Sequence, residues 1–380
     1  MTAATAGRLE GLDIFRGLAV AGMILVNTPG SGAHVWWPLD HAAWHGFTPT
    51  DLVFPAFLFA VGAALGLSFP RRIDGSSWWR ILRRAASLVL IAWVIQLLAR
   101  PDIEHFRFMG VLQRIALCYV LVSAWAIATA RRDAEGRAQI QPLFLLMAAI
   151  DALILYWLLL MFIPVPGQGA GLLTPEGNLA GWVDRSVFGT AHIWRFGTDA
   201  AGNIVYDPEG LLSTLPALAN VLFGMLAAWL WKFEPGKAVL RILGMGALLA
   251  MAGWVFSLWM PLNKRIWTPS FALFTTGLSA VLLATCMLAS ASETAKRLLT
   301  PLHIFGMNAI LGYVLSLLIA IACLKPILPG GGNINQWGFA QINAVIPDPY
   351  LASFLYALVI LLIVLAVLIP LHRRGIHLRL

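Results

Sequence analysis

The feature that most narrows the folds open to this chain is a succession of apolar runs. Each is near the roughly 20 residues that a helix needs to cross a hydrocarbon core. Ten such runs are readable, at about 12–30, 50–70, 82–100, 109–130, 142–163, 211–231, 239–260, 268–290, 301–323 and 350–370. No polar stretch between them is long enough for a soluble domain. The expected fold class is therefore an all-α polytopic membrane protein, with about 10 transmembrane helices in one bundle and a single domain over residues 1–380. Within it, 8–235 reads as a catalytic-type half and 236–380 as the remaining helices. Composition agrees, since 59% of residues are hydrophobic, 12% are charged and the mean hydropathy is +0.80. A cleaved signal peptide is the poorer reading of the first run, because Asp13 and Arg16 interrupt it.

Basic residues orient the spans. With the N-terminus in the cytoplasm, 17 of the 26 fall on inner connections and tails: Arg8, Arg71, Arg72, Arg80, Arg83, Arg84, Arg131, Arg132, Arg137, Lys232, Lys237, Arg241, Lys296, Arg297, Arg373, Arg374 and Arg379. Seven fall outside: Arg100, Arg107, Arg185, Arg195, Lys264, Arg265 and Lys325. This asymmetry predicts both termini to be cytoplasmic. It also accounts for the net charge of +8 without nucleic acid as a partner, because the cations form short clusters rather than one basic surface. Cys118, Cys286 and Cys323 all lie within predicted spans, so neither a disulfide frame nor a metal motif is expected. Residues 164–210 and 324–349 read as long outer loops rich in turn formers, such as VPGQGAG, YDPEG and PGGGNINQW.

Against this apolar background, Trp36–Pro55 crowds Asp40, His41, His45 and Asp51 between two spans. A neutral imidazole is the natural proton acceptor at physiological pH, and His41 stands beside Asp40 ahead of a helix start signalled by Thr48, Pro49 and Asp51. His45, next to Trp44, reads as an interfacial anchor, and the His41 and His45 pair is too sparse for zinc. Asn27 ends the first run, where its amide either caps the helix or donates to a developing oxyanion. Two arginines sit within spans at a cost of at least about 2.5 kcal/mol each on insertion scales. Arg16 has Asp13 three residues before it, whereas Arg114, after Gln113 in VLQRIALCY, has no acidic neighbour in its own span. Arg114 must pair across helices or hold an anion, a task that suits a guanidinium fork.

LDIFRGLAVAGMILVN followed by HAAWHGFTPTDLVFPAFLFAVG resembles the heparan-α-glucosaminide N-acetyltransferase family, including its bacterial NagX-like members. The resemblance continues in order through VLQRIALCYV, IPVPGQGAG, YDPEGLLSTLPA, PLNKRIWTPSF and GMNAILGYV. It implies a multi-span enzyme that takes acetyl from cytoplasmic acetyl-CoA, with no metal, and passes it to the amine of a glucosamine-type acceptor across the membrane. The family's catalytic histidine falls on His41 and its helix-ending asparagine on Asn27. Asp51, which the family's segment includes, is the better of two candidates to orient the ring. The loop from Asn27 to His41 is longer than in animal members, and Asp40 replaces a basic residue, departures that bear on the acceptor.

With those roles, His41 is the base or acetyl carrier, Asn27 holds the oxyanion and Asp51 supports the histidine. Arg114, Arg16 and Gln113 are candidates for CoA, and Asp207, Glu209, Asn263 and Lys264 for the acceptor. YDPEG also has the composition of a helix N-terminus. The implied setting is the lipid bilayer of a bacterial inner membrane, with a homodimer as a candidate assembly. The rival readings are a transporter for an amino sugar or anion, with His41 and Arg114 lining its path, and an O-acetyltransferase of a surface polysaccharide.

Overall fold

The computed structural model describes residues 10–377; Arg8 and Arg379 of the charge count lie outside the described residues. Thirteen helices are described: α1 Glu10–Asn27, α2 Val53–Leu67, α3 Gly75–Ala99, α4 Val111–Ala128, α5 Pro142–Phe162, α6 Leu179–Phe188, α7 Thr214–Phe233, α8 Ala238–Phe256, α9 Pro269–Ala289, α10 Glu293–Met307, α11 Ala309–Leu324, α12 Ile334–Val345 and α13 Pro349–Arg373. A two-residue ladder, Arg131–Arg132 with Ala138–Gln139, joins α4 to α5.

Among the described residues, eight helices are long and apolar enough to cross a membrane, or nine if one bent pair counts as a span. The sequence count of ten differs from this in two places. α1 carries three charged residues, Glu10, Asp13 and Arg16, within its 18 residues. The predicted run 301–323 is broken at Asn308, where α10 and α11 meet at 90°. The expected loops also contain structure. α6 lies in 164–210 and α12 in 324–349, each opened by an asparagine that accepts a backbone N–H: Asn178 from Gly181 at 2.7 Å and Asn333 from Gln336 at 2.8 Å. Both are short and mixed in polarity, which is why turn formers dominated the reading of those stretches.

The chain divides into two compact units. The first comprises Ala43–Phe47 and Leu58–Ala284, the second 10–42, Thr48–Phe57 and 285–377. In the first, α7 and α9 are 67% and 61% buried along their spans while α3 and α8 are 22% buried, so the former pair lies in the core and the latter two turn apolar faces outward. Gly62 lets α2 approach α7 closely: a Cβ there would stand 1.9 Å from the Val221 carbonyl oxygen. In the second unit α1 packs on α10 through two glycines. A Cβ at Gly17 would meet the Leu302 carbonyl oxygen at 1.7 Å, and one at Gly306 the Asp13 carbonyl oxygen at 1.7 Å.

Within the second unit the segment after α1 is tied to the C-terminal helices. Gly30 N–H donates to the Ser353 carbonyl at 3.1 Å and Ser31 N–H to the Ser353 hydroxyl at 3.0 Å. Asn335 of α12 donates to the Pro29 carbonyl at 3.3 Å, and the Trp36 ring lies 5.4 Å from Phe354. These ties hold the residues that lead into His41.

Candidate active site

The second unit carries His41, and its Nδ1 lies 2.7 Å from Asp51 Oδ1. Asp51 is fully buried, whereas the His41 side chain keeps 27% of its surface. The other carboxylate oxygen, Oδ2, accepts Ala42 N–H at 3.3 Å and Thr48 N–H at 3.0 Å, and lies 3.1 Å from the Thr48 hydroxyl, whose proton is shared with the Asp40 carbonyl at 2.6 Å. A carboxylate surrounded by donors accepts from the ring as well. The proton of the neutral imidazole is thereby placed on Nδ1 and its lone pair on Nε2. Asp40 has a different task, since its Oδ1 accepts the backbone N–H of His41 at 2.8 Å. Thr48 is the residue that opens the turn Pro49–Leu52 leading into α2, so the same side chains that start a helix also hold the histidine.

Asn27 is exposed at the end of α1. The helix is closed by Thr28, whose N–H and hydroxyl reach the Ile24 carbonyl at 3.1 and 2.8 Å, so the capping role considered for the Asn27 amide is filled by its neighbour. Arg16 lies 3.5 Å from Asp13, the intrahelical pair expected from their spacing.

The first unit gathers Asp207 and Glu209 around Arg107, which in the sequence stands only as one of the outer-loop charges. Arg107 donates through Nε to Asp207 Oδ2 at 2.8 Å, and through Nη2 to Asp207 Oδ1 at 2.5 Å and to Glu209 Oε2 at 2.6 Å. Burial alone would lower the Arg107 pKa, but the two carboxylates raise it. Burial would raise that of Glu209, but Arg107, Arg114 and Lys264 together hold it below the ordinary range. Asp207 also accepts the N–H groups of Trp194 and Glu209, each at 2.9 Å. The two acids are therefore engaged by an arginine and by backbone.

Arg114, fully buried at the start of α4, reaches the segment that leads into α7. Its Nη2 donates to the Gly210 carbonyl at 3.0 Å and to the Ser213 hydroxyl, and its Cζ lies 5.0 Å from the centre of the Trp267 ring. Nε and Nη1 have no hydrogen-bond partner among the described residues. Gln113 is buried beside Gly110. Trp267 has φ of 53°, a left-handed conformation that is strained for a bulky residue, and its indole N–H donates to Asn220 at 3.1 Å. The segment before it is tied by Asn263, whose Oδ1 accepts the Ile266 N–H at 3.0 Å and whose N–H donates to the Thr268 hydroxyl at 3.0 Å. Lys264, next in this segment, is half-buried.

Asp184 of α6 is a further buried acid of this unit, one that no motif in the sequence marks. One oxygen accepts the Leu211 N–H at 2.8 Å and the other is buried with no hydrogen-bond partner among the described residues. Burial pushes its pKa up from 3.8 to about 7, with Asp207 adding to the rise. The available signal is an acid on the same helical face as buried Ala180 and Gly181. Because folding favours the protonated acid, the stabilisation is complete below pH about 4 and is lost as pH climbs through the folded pKa. Asp184→Asn keeps an acceptor for Leu211 and does not titrate. The thermal midpoint of the wild type is expected to fall relative to this variant between pH 5 and pH 8, measured in detergent; a difference that stays constant with pH counts against the assignment.

Residues 8–166 match the profile of a family described as heparan-alpha-glucosaminide N-acetyltransferase, catalytic. The stretch includes Asn27, His41, Asp51, Arg107 and Arg114, while Asp184, Asp207, Glu209 and Asn263 lie beyond it. The chain is 29% identical over 356 residues to human heparan-alpha-glucosaminide N-acetyltransferase, covering 81% of this chain and 52% of that protein. The mouse protein of the same name is 27% identical over 358 residues, covering 82% of this chain and 53% of its own length. The chain thus spans about half the length of these relatives. The resemblance read from the motifs is borne out by both comparisons.

Proposed function

From a chain related to the heparan-alpha-glucosaminide N-acetyltransferases along most of its length, we propose a transmembrane acetyltransferase that moves acetyl from acetyl-CoA to the amine of a glucosamine-type sugar. The observation that supports this most is the contact of His41 Nδ1 with buried Asp51, which gives the ring a basic Nε2. Attack by an amine on a thioester needs that base. Nε2 removes a proton as the nitrogen bonds to the carbonyl carbon; the C–S bond then breaks and the proton passes to the departing thiolate, leaving amide and CoA. The same nitrogen is also able to carry the acetyl group itself between donor and acceptor. In this reading Asn27 supplies a hydrogen bond to the oxyanion, and its exposed amide suits the task.

In this proposal the donor is cytoplasmic, both termini face the cytoplasm and the membrane is a bacterial inner membrane. CoA phosphates fall to Arg16, with Arg114 and Gln113 as deeper candidates. The fully buried Arg114 serves this role only through its Nε and Nη1 groups, since Nη2 is occupied. Asp207, Glu209, Asn263 and Lys264 shape the acceptor side, the two acids acting through Arg107.

The test is incubation of purified protein in detergent with labelled acetyl-CoA and glucosamine, beside a His41→Ala variant. Labelled product from the wild type and a loss of at least about 10²-fold in the variant are expected for removal of a general base. No product with any amino sugar sinks the transferase reading and favours transport, and equal product from both proteins removes His41 from the mechanism.

A further inference from the structure

His45 reads from sequence as an anchor, yet its surroundings in the first unit are built around one ring nitrogen. Its Nδ1 lies 3.2 Å from Asn263 Nδ2. The orientation of that amide is fixed, because Asn263 Oδ1 accepts the Ile266 N–H at 3.0 Å and Asn263 is fully buried. The nitrogen facing His45 is therefore an N–H₂ donor, and His45 Nδ1 must be the acceptor. The ring proton then sits on Nε2. A second proton on Nδ1 would place two N–H groups against each other. Although the residue keeps an exposed edge, burial of the ring also lowers its pKa below the ordinary histidine value, which keeps it neutral.

The neighbouring side chains give that donor a context. The Trp44 ring lies 6.1 Å from His45 and 5.0 Å from Tyr206, and its indole N–H is anchored on the Leu173 carbonyl at 2.8 Å. Trp194 adds a further ring 6.2 Å from Tyr206, with the Arg265 guanidinium 5.3 Å over it. The Gly46 N–H donates to Leu262 at 2.8 Å, which pins the loop 43–47 on the segment that carries Asn263. A rigid aromatic ring beside a fixed neutral donor suits a sugar ring, which has an apolar C–H face and hydroxyls at its rim. Lys264 and Arg265 in the same segment disfavour the ammonium end of an amino sugar.

We infer that His45 is a specificity residue: locked by Asn263 with its proton on Nε2, it donates to a ring hydroxyl of the acceptor sugar stacked on Trp44. The inference rests on the acceptor class proposed above and goes beyond it by naming the groups that bind the sugar ring rather than its amine.

Two measurements test it without acetyl transfer. In protein labelled with ¹⁵N-histidine, the His45 signals, assigned by their loss in His45→Gln, are expected to show a singly protonated ring with hydrogen on Nε2 at pH 7; hydrogen on Nδ1 overturns the inference. Calorimetric titration with glucosamine and its β1→4 dimer, without acetyl-CoA, is expected to show affinity weakened about 5- to 30-fold in His45→Leu, the loss of one hydrogen bond. His45→Gln, whose amide restores a donor, is expected within about threefold of the wild type on the same basis. Unchanged affinity in His45→Leu, or no binding of either sugar by the wild type, overturns the inference. A wild type that binds the sugars but never acetylates them instead overturns the transferase reading and leaves this site in place.

Discussion

Replacing Asp51 by asparagine is expected to lower the rate of acetyl transfer by about 10² to 10⁴, the range in which a histidine base held in the wrong tautomer falls. The local hydrogen bonds dictate why. Two backbone donors that cannot turn away, Ala42 N–H and Thr48 N–H, point at Oδ2 and keep an oxygen there in the variant. The amide nitrogen of the substituted side chain is then turned toward His41 Nδ1, which becomes an acceptor and moves the ring proton to Nε2. The base is lost while the helix start that Asp51 supports is retained. The check is kcat at saturating acetyl-CoA together with the thermal midpoint: a rate within about threefold of wild type, in a protein of unchanged stability, would remove Asp51 from the proposed mechanism.

The second large effect concerns stability. Arg107→Met leaves Asp207 and Glu209 without the guanidinium that three close contacts bring to them. Removing one partner of a buried ionic cluster costs about 3–5 kcal/mol, because the remaining charges stay desolvated. A sharp fall in the thermal midpoint or in monodisperse yield from detergent is expected. Arg107→Lys should recover little of it, since a point charge does not reproduce the fork that spans two carboxylates. A variant as stable as the wild type would show that the cluster is solvated and that its charges do not depend on one another.

The spans were legible because length and hydropathy are additive along a chain, and α2 to α5, α7 to α9 and α13 follow the predicted runs closely. α6, α10 and α12 were less so: they are short or mixed in polarity, and their helical state depends on capping asparagines or serines and on packing. At the candidate site the residue types were readable and their pairing was not. Spacing offered both Asp40 and Asp51 as partners for the His41 ring, and only the folded turn assigns the first to backbone and the second to the ring. Arg107 could not be singled out, because its partners lie 100 and 102 residues away. The contrast between His41 and His45 was also hidden. It rests on whether a carboxylate or an amide nitrogen faces Nδ1, and the amide is 218 residues distant.

The glycine contacts of α1 with α10, and the ties of residues 30 and 31 to Ser353, bear on how the molecule is made. During synthesis α1 leaves the ribosome before the helices it packs on, which follow more than 250 residues later. For most of that time α1, with three charged side chains in its length, must wait in or at the membrane without its folded neighbours. The segment bearing His41 is therefore expected to reach its final geometry only after α13 has been made, so that the order of synthesis keeps the proposed catalytic histidine inactive until then.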